Sequence, residues 1–291
     1  MQKVAFLGLG VMGSRMVARL LDAGMTVTVW NRRAERAEPL AARGATVAGS
    51  PRDAAWGADV ILSMVADDEA SRLVWLGESG ALAGAGTGAV GIECSTLSPA
   101  WILELAEHAR KAGIGFLDAP VTGSRPQAES GEILFLVGGD RDVLERVRPV
   151  LRPMSRDVVH LGPVGSGARM KLVNNVTSAV QAAALAEALA FAEACGLEPT
   201  AAMSVLTNGA PGSPLVKTLA PRMMLRDYDV NFQLSLMRKD VGYAIAEAER
   251  CGVTLTTASG ARALFDAAMA SGHGASDFSA IAEGVPGKPR T

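Results

Sequence analysis

A glycine-rich turn near the start of the chain has the spacing of a dinucleotide-binding loop. Residues 8–13 read GLGVMG, directly after the apolar run Val4–Leu7 and at the start of a helical pattern over Met12–Ala23. Glycines in such a turn allow a tight bend and let a pyrophosphate approach the backbone, where the first N–H groups of the helix face the phosphates. A tight turn without a ligand is the alternative, but the flanking strand and helix favour dinucleotide binding.

The end of the second apolar run indicates which dinucleotide is bound. An NAD site usually places Asp or Glu there, whereas this chain has Asn31, Arg32 and Arg33, with Arg36 one turn further on. A guanidinium group can bind a 2′-phosphate bidentately, and a carboxylate would repel it. We therefore predict NADP(H) as the preferred cofactor, with NAD(H) possible. The alternative is that these arginines only form a solvated helix start.

Lys171 is a candidate for acid–base chemistry. It lies near the start of a long helical pattern, and Asn175 shares its face because the two are four residues apart. A lysine at that point of the chain can reach the cleft between two domains, a common location for ligands. From spacing alone, a lysine on a solvated helix face remains the alternative.

Seven short apolar runs predict buried strands, and the helical patterns between them predict a mostly parallel sheet covered on both faces. The runs are rich in Val, Ile, Leu or Phe and are bounded by Gly, Pro or Asp. The predicted strands are Val4–Leu9, Thr26–Trp30, Asp59–Val65, Val90–Ser95, Phe116–Ala119, Ile133–Val137 and Val158–Leu161. The intervening helical patterns include Met12–Ala23, Pro99–Lys111 and Asp142–Leu151.

After about residue 165 the pattern becomes helical throughout. Residues 168–194 contain neither Gly nor Pro and predict one helix of about 40 Å, whose almost wholly apolar second half requires burial on every face. Gly196 is the predicted cap at its end. Further predicted helices are Thr200–Val205, Pro214–Met224, Leu234–Arg250 and Ala258–Ala270.

The predicted fold class is α/β with two domains. Residues 1–163 form an N-terminal Rossmann-type dinucleotide-binding domain for NADP. Residues 164–291 form an all-α C-terminal domain for substrate binding and dimerisation. A long interdomain helix, at about 167–194, joins the two.

Composition excludes several classes of protein. Of the 291 residues, 49% are hydrophobic and 20% charged, which excludes intrinsic disorder, and a net charge of −2 argues against a nucleic-acid or membrane-surface partner. No run resembles a transmembrane helix or a signal peptide. Three distant cysteines and three isolated histidines predict neither a disulfide framework nor a metal site. We therefore expect a cytoplasmic protein.

Four motifs in order give the chain a family resemblance. They are GLGVMG at 8–13, DAPVTGS at 118–124, Gly165-x-Gly167-x-x-x-Lys171-x-x-Asn174-Asn175, and Lys239-Asp240. In this order and spacing the chain resembles the β-hydroxyacid dehydrogenases, the group that contains 3-hydroxyisobutyrate dehydrogenase and the glyoxylate/succinic semialdehyde reductases. The resemblance covers nearly the whole chain.

The resemblance implies roles for the candidate residues. Lys171 would be the general acid–base, and burial beside a cationic nicotinamide would move its pKa towards the working range. Asn175 would orient the substrate or Lys171. Three residues of the loop after a strand would bind the substrate carboxylate: Thr122, Gly123 and Ser124. The family usually has serine at position 122, and threonine keeps the hydroxyl.

The resemblance also extends the cofactor site. Met64, Val65 and Thr96 match positions that line the nicotinamide, and Lys239 matches a lysine that closes over the cofactor, although sequence alone would make Lys239 and Asp240 surface charges. Arg125 is either part of the substrate loop or an exposed charge, and Phe232 is either a pocket wall or core. The predicted cofactor-binding residues are Gly8, Leu9, Gly10, Val11, Met12, Gly13, Asn31, Arg32, Arg33, Arg36, Met64, Val65, Thr96 and Lys239.

The expected function is NADP(H)-dependent hydride transfer between nicotinamide and a small carboxylate-bearing aldehyde or hydroxy acid. The loop over residues 125–129 is closest to the glyoxylate/succinic semialdehyde reductases. The alternatives are a 3-hydroxyisobutyrate or other β-hydroxyacid dehydrogenase, an imine reductase, and a non-catalytic NADP-binding module. Imine reductases of this fold usually carry Asp or Tyr at the position of Lys171, and the non-catalytic relatives typically lose the lysine. 6-Phosphogluconate dehydrogenase, also related, has a much larger helical domain.

The expected partners are a small-molecule carboxylate substrate and further copies of the chain. An apolar helix needs neighbours on several sides, and the resemblance implies a homodimer or homotetramer packed through the helical domains. We expect neither nucleic acid nor a membrane as a partner.

Overall fold

A computed structural model describes residues Gln2–Gly287 and confirms the predicted fold class. The chain divides after Lys171 into two compact units, an α/β unit and a helical unit. Within residues 2–287, no helix is both long and apolar enough to cross a membrane.

The α/β unit is built on one nine-stranded sheet. Each of the seven predicted strands is present, with ends that differ by a few residues, and two further strands of two residues each occur. The strands are β1 Lys3–Leu7, β2 Thr26–Trp30, β3 Thr46–Val47, β4 Val60–Ser63, β5 Val90–Glu93, β6 Gly115–Asp118, β7 Val121–Thr122, β8 Ile133–Gly139 and β9 Ser155–Gly162.

The sheet is mostly parallel, as predicted. Its order is β3-β2-β1-β4-β5-β6-β8-β7, with β9 beside β8. The first six strands in that order run parallel, whereas β8 is antiparallel to β6 and β7. Parallel strands end at the same edge, so the loops that follow β1, β2, β4 and β5 share one edge of the sheet.

Apolar side chains cover both faces of the sheet. In β1, Val4 and Phe6 belong to one core cluster, and Ala5 and Leu7 belong to the other, as the period of two in a strand requires. The helices of this unit are α1 Val11–Asp22, α2 Glu38–Ala41, α3 Pro51–Ala55, α4 Asp68–Trp75, α5 Ala81–Gly84, α6 Pro99–Lys111, α7 Arg125–Ser130 and α8 Arg141–Leu151.

The long helix α9 extends over Ser166–Ala194, one residue longer than predicted, and the division between the units falls inside it. Gly196, with φ of +70°, donates its N–H to the Glu193 carbonyl and ends the helix as predicted. Phe191 near this end is 72% exposed. The described residues of a single chain therefore do not supply the burial on every face that the apolar pattern requires.

The helical unit has its own core. Alanines of α9, such as Ala179 and Ala182, are buried together with Leu234 and Phe265 of later helices. These helices are α10 Pro199–Asn208, α11 Pro214–Leu225, α12 Leu234–Arg250 and α13 Thr256–Ala268, followed by a short 3-10 segment, Phe278–Gly284.

Candidate cofactor and active site

The glycine turn joins β1 to α1 at the edge where the parallel strands end. Gly8 has φ of +99°, a left-handed conformation that favours glycine, and a Cβ atom there would overlap the carbonyl oxygen of Met64. A Cβ atom at Gly13 would overlap the carbonyl oxygen of Gly8, so this glycine lets α1 pack closely on the turn. At Gly10, a Cβ atom would meet nothing within 4 Å. Two glycines therefore shape the turn, and the third leaves open space beside the backbone.

The N-terminus of α1 fits the pyrophosphate of a dinucleotide. The N-cap residue is Gly10, which has no side chain to bond the first N–H groups, and the first turn contains no acidic residue. The helix is 12 residues long, and its backbone dipoles favour an anion at this end. A nicotinamide dinucleotide bound here would supply or accept a hydride. The turn would hold its phosphates.

We expect Gly10→Ala to weaken dinucleotide binding about tenfold or more without unfolding the protein. The φ of Gly10 is −74°, which alanine adopts readily, and the added methyl group would occupy the space that the phosphates need. Gly13→Ala is the matched variant, because its methyl group overlaps protein backbone and should lower the melting temperature. Calorimetric titration with NADPH and NADH, together with thermal unfolding, measures both effects. Unchanged affinity in Gly10→Ala would contradict this placement of the phosphates.

Asn31, directly after β2, is bonded to the glycine turn. Its Oδ1 accepts the N–H of Leu9 at 2.9 Å, and its Nδ2 donates to the carbonyl oxygen of Arg33 at 2.8 Å. One amide side chain therefore ties the phosphate turn to the segment that carries the arginines. The sequence predicted only a direct contact between Asn31 and the cofactor.

Arg32, Arg33 and Arg36 follow at the same edge, and all three are exposed. Among residues 2–287, none of the three guanidinium groups forms an ion pair with a carboxylate. Their donors are therefore available to an anionic ligand, and no acidic side chain takes the place that an NAD site reserves for Asp or Glu.

The residues predicted to line the nicotinamide follow β4 and β5. The N–H of Met64 donates to the Leu7 carbonyl at 2.9 Å, and the N–H of Val65 donates to Ser95 Oγ at 2.8 Å. Met64, Val65 and Thr96 are half-buried. They lie on neighbouring strand ends, at the edge that carries the glycine turn.

The predicted carboxylate loop begins at the end of β7. Gly123 has φ of +114°, so the turn requires glycine there. The Ser124 N–H donates to Gln127 Oε1 at 2.9 Å. Since Gln127 is exposed, a carboxylate that binds this N–H would displace its side chain into solvent. Arg125 is exposed and pairs with Glu129 at 3.2 Å.

Asp118 joins the end of β6 to the start of α9. Its Oδ1 accepts the N–H of Gly165 and its Oδ2 accepts the N–H of Ala168, both at 2.8 Å. A Cβ atom at Gly167 would overlap neighbouring backbone, so glycine allows this close approach. The carboxylate therefore holds the first turn of α9, and Lys171, 8% exposed, follows one turn later.

Replacing Asp118 with asparagine should change how stability depends on pH. Burial raises the pKa of Asp118 to about 6, against the bonds from the Gly165 and Ala168 N–H groups, which lower it. Because this pKa lies above that of the unfolded chain, the folded protein binds the proton more tightly than the unfolded chain does. Protonation of Asp118 therefore raises the free energy of unfolding at low pH, and this contribution is lost as the pH rises through about 6. The loss is about 3 kcal/mol for a shift of this size.

Urea unfolding of the protein and of Asp118→Asn from about pH 4 to pH 7 measures this change. Asparagine does not ionise, so the free energy of unfolding of the unaltered protein should fall relative to the variant across that interval. Asp142→Asn, an exposed acid in the first turn of α8, is the control and should leave the profile unchanged. Parallel profiles for Asp118→Asn and the unaltered protein would contradict the prediction.

In the helical unit, a buried carboxylate holds Asn175. The Asn175 Nδ2 donates to Asp240 Oδ2 at 2.7 Å, and Asp240 is 1% exposed. Lys239 Nζ lies 2.9 Å from Asp240 Oδ1 and 4.8 Å from the centre of the Tyr243 ring. The alternative that Asp240 is a surface charge is therefore wrong. Phe232 packs against Phe278 with ring centres 5.8 Å apart, as a core residue would.

Sequence reasoning missed three polar side chains that hold the candidate segments. Asp118 stood in a motif without a role of its own, Gln127 lay in the loop over residues 125–129 without a role, and Glu93 had no predicted role. The available signal was an acidic residue at the end of a buried strand, because such a carboxylate needs donors from nearby loops.

Cysteine and histidine do not assemble a metal centre in the described part of the chain. No group of three or more His, Cys, Asp or Glu side chains within residues 2–287 is arranged to hold a metal ion. The three cysteines are free thiols: Cys94 is buried, and Cys195 and Cys251 are exposed. Burial and the nearby charge of Glu93 raise the pKa of the Cys94 thiol.

Comparison with known proteins supports the same cofactor chemistry for both parts of the chain. Residues 3–162 match the family described as the NAD binding domain of 6-phosphogluconate dehydrogenase. Residues 165–285 match the family described as NAD-binding of NADP-dependent 3-hydroxyisobutyrate dehydrogenase.

Individual relatives resemble nearly the whole chain. Glyoxylate/succinic semialdehyde reductase 2 of Arabidopsis thaliana is 34% identical over 97% of this chain and 79% of the relative. The NAD-dependent L-serine dehydrogenase of Pseudomonas aeruginosa is 35% identical over 97% of each. The solved structure of Mycobacterium tuberculosis 3-hydroxyisobutyrate dehydrogenase with L-serine is 34% identical, covers 97% of this chain and 98% of its own, and has a TM-score of 0.87.

These relatives are dehydrogenases and reductases whose names differ in substrate and in nucleotide. The two family matches cover residues 3–162 and 165–285, and these relatives align with nearly the whole chain. The chain therefore belongs to the β-hydroxyacid dehydrogenase family, and it is an NAD(P)-dependent oxidoreductase that acts on CH–OH groups.

Proposed function

We propose that the protein is an NADP(H)-dependent reductase of short aldehydes that carry a carboxylate, with succinic semialdehyde and glyoxylate as the first candidates. The observation that carries the proposal is the end of β2, where Arg32 and Arg33 are exposed without a carboxylate partner among residues 2–287. The 2′-phosphate of NADP(H) would form ion pairs with these guanidinium groups, whereas NAD(H) has no anionic group at its ribose hydroxyls to pair with them.

The loop at Thr122–Ser124 supports the carboxylate part of the proposal. Thr122 offers a hydroxyl donor, and the turn at Gly123 brings the backbone of Ser124 close to it. A carboxylate accepts hydrogen bonds of this kind and is held without a full counter-charge. Among the relatives, one is named as a reductase of glyoxylate and succinic semialdehyde, both of which carry a carboxylate.

Lys171 is the proposed general acid. In reduction, its ammonium group donates a proton to the carbonyl oxygen that becomes the alcohol, and in oxidation the neutral amine accepts that proton from the hydroxyl. The Asp118 carboxylate holds the first turn of α9 and so positions the lysine. Asn175, four residues later and oriented by Asp240, is proposed to hydrogen-bond the substrate or Lys171.

Steady-state reduction of succinic semialdehyde and glyoxylate with NADPH and with NADH tests the proposal, followed through the absorbance of the dihydronicotinamide. We expect turnover with at least one aldehyde and a clear preference for NADPH in kcat/KM. A preference for NADH would overturn the cofactor assignment. Binding of NADPH without reduction of either aldehyde would overturn the substrate assignment alone.

Oxidation of 3-hydroxyisobutyrate or another β-hydroxyacid is the second candidate function. It is favoured by the likeness of the whole chain to the 3-hydroxyisobutyrate dehydrogenase structure. The same acid–base residue serves both directions, so the two candidates differ in the pocket and not in the chemistry. Comparison of kcat/KM for 3-hydroxyisobutyrate and L-serine with NADP⁺ against the two aldehydes with NADPH separates them.

We also propose that the protein assembles through its helical unit into a homodimer or homotetramer. Five large apolar side chains on or near α9, α10 and α11 are more than half exposed: Val173, Phe191, Leu197, Val205 and Leu225. Apolar side chains of this size are removed from water when a second copy of the chain covers them, which favours assembly. Light scattering should give a mass of at least two chains, and Phe191→Glu should lower it. A stable monomer at micromolar concentration would refute the assembly.

The proposed location is the cytoplasm. Cys195 and Cys251 are exposed free thiols, which persist in a reducing compartment. Fractionation of cells that express the protein tests this, and recovery in an oxidising compartment would overturn it.

A further inference from the structure

A buried carboxylate lies behind the segments predicted to line the nicotinamide. Glu93, the last residue of β5, is 0% exposed. Its Oε1 accepts the backbone N–H of Ser95 at 2.9 Å, and its Oε2 accepts the Ser71 hydroxyl at 2.7 Å and the Trp75 indole N–H at 2.8 Å. All three donors are neutral. Because an apolar side chain is easier to bury than a carboxylate, the acidic group at this position calls for a specific role.

A second hydrogen bond of Ser95 reaches the end of the neighbouring strand, β4. The Ser95 hydroxyl oxygen accepts the N–H of Val65 at 2.8 Å, so Glu93, Ser95 and Val65 form one chain of hydrogen bonds. This chain crosses from the end of β5 to the end of β4, beyond the last paired residues of the two strands, Ser63 and Glu93. The last backbone bond between the two strands is donated by the Cys94 N–H to the Ser63 carbonyl at 2.9 Å, and beyond it the bond from Val65 to the Ser95 side chain joins the two segments.

The other oxygen of Glu93 anchors the same group to α4. Ser71 and Trp75 are one turn apart on this helix, and Trp75 Nε1 also lies 3.0 Å from Ser63 Oγ in β4. At the other end of α4, Asp68 accepts the N–H and the hydroxyl of Ser98 at 2.9 and 2.6 Å. The helix therefore braces both ends of the segment that contains Thr96.

We propose that Glu93 and Ser95 are positioning residues for the nicotinamide. They act through the segments that carry Met64, Val65 and Thr96, and they hold these side chains at the spacing that hydride transfer needs. The proposal rests on the proposed function, since it requires that the nicotinamide bind at this edge of the sheet. It predicts a defect in the alignment of the ring, with the affinity for the dinucleotide retained because the phosphates are held by the glycine turn and the arginines.

Two serine variants separate this role from a general contribution to stability. Ser95→Ala removes the oxygen that accepts the Val65 N–H and keeps the bond from the Ser95 backbone to Glu93. Ser71→Ala removes one donor to Glu93 and leaves the link to Val65 complete, so it is the matched control. Both serines are buried and each variant loses one hydroxyl, so their melting temperatures should fall by similar amounts. Glu93→Asp, which keeps the charge and shortens the side chain, is a third variant.

The readouts are the Kd for NADPH from calorimetry, the fluorescence of the bound dihydronicotinamide, and kcat with the better of the two aldehydes. For Ser95→Ala we expect a Kd within about threefold of the unaltered protein, at least a twofold loss of the fluorescence enhancement on binding, and about a tenfold loss in kcat. Glu93→Asp should show the same pattern. Ser71→Ala should match the unaltered protein in fluorescence and kcat.

Two results would overturn the proposal: Ser95→Ala with unaltered fluorescence and turnover, or Ser71→Ala with the same losses as Ser95→Ala. If the unaltered protein binds NADPH but reduces neither aldehyde, the proposed substrate is wrong, and the fluorescence comparison still decides the positioning role. If only NADH binds, the comparison is made with NADH. If neither dinucleotide binds, both proposals fall.

Discussion

Replacing Lys171 with alanine is expected to lower kcat for aldehyde reduction by about 10³-fold, because a positioned general acid contributes roughly 10²- to 10⁴-fold. Lys171 is 8% exposed, and Asp118 holds the first turn of its helix, so the structure keeps this lysine in place. The proposed phosphate contacts are the glycine turn and the arginines, so the Kd for the dinucleotide should remain within about threefold, since Lys171 is expected to add little to phosphate binding.

Two variants control the Lys171 experiment. Lys217→Ala removes an exposed lysine of α11 and should leave kcat unchanged. Lys171→Arg keeps a positive charge but holds its proton too firmly to act as an acid, so its activity should stay close to that of Lys171→Ala. Recovery of most activity in Lys171→Arg would mean that the residue contributes charge and not a proton. Full activity in Lys171→Ala would contradict the assigned role.

The sheet was predictable because its central strands are buried on both faces. In β4 and β5 every residue is buried, so each strand appears in the sequence as a short apolar run that ends in one polar residue, Ser63 or Glu93. The two strands that escaped prediction, β3 and β7, have two residues each, too few to show any period. Helix α6 has the predicted bounds, because Ser98 caps its start and the amphipathic pattern extends to Lys111.

The candidate site was predictable only where its residues are contiguous. The glycine turn and the arginines after β2 are local patterns, and each can be interpreted without the rest of the chain. By contrast, the bond from Asp118 to Ala168 joins residues 50 positions apart, and the bond from Asn175 to Asp240 joins residues 65 positions apart. Such pairs depend on which strand ends and helices the fold brings together, and a single sequence contains no local signal for them.

Asn31 shows the same limit at short range. Its type and position predicted a contact with the cofactor, but its Oδ1 accepts the backbone N–H of Leu9. A backbone donor has no residue-type signature, so the bracing role becomes visible only in the folded chain. Asn31 therefore helps to fix the shape of the phosphate turn, in addition to its predicted part in the choice of cofactor.

The double variant Arg32→Ala/Arg33→Ala is expected to lower the preference for NADPH over NADH, measured as the ratio of kcat/KM values, by about 10²-fold, the loss of two charge-assisted contacts to the 2′-phosphate. The loss should lie in KM for NADPH, since the arginines are at the β2 end of the site and touch no reacting atom. The kcat/KM for NADH should stay within about threefold of that of the unaltered protein, because NADH lacks the 2′-phosphate.

Two further variants complete the cofactor test. Arg43→Ala removes an exposed arginine that pairs with Asp22 at the far end of α1, and it should leave the ratio unchanged. Asn31→Asp can still accept the Leu9 N–H, but it loses the bond to the Arg33 carbonyl and adds a negative charge beside the phosphate. Asn31→Asp should therefore weaken the binding of NADPH and shift the kcat/KM preference towards NADH. An unchanged ratio in the double variant would show that the 2′-phosphate is bound elsewhere or does not select the cofactor, and the NADP(H) assignment would fall.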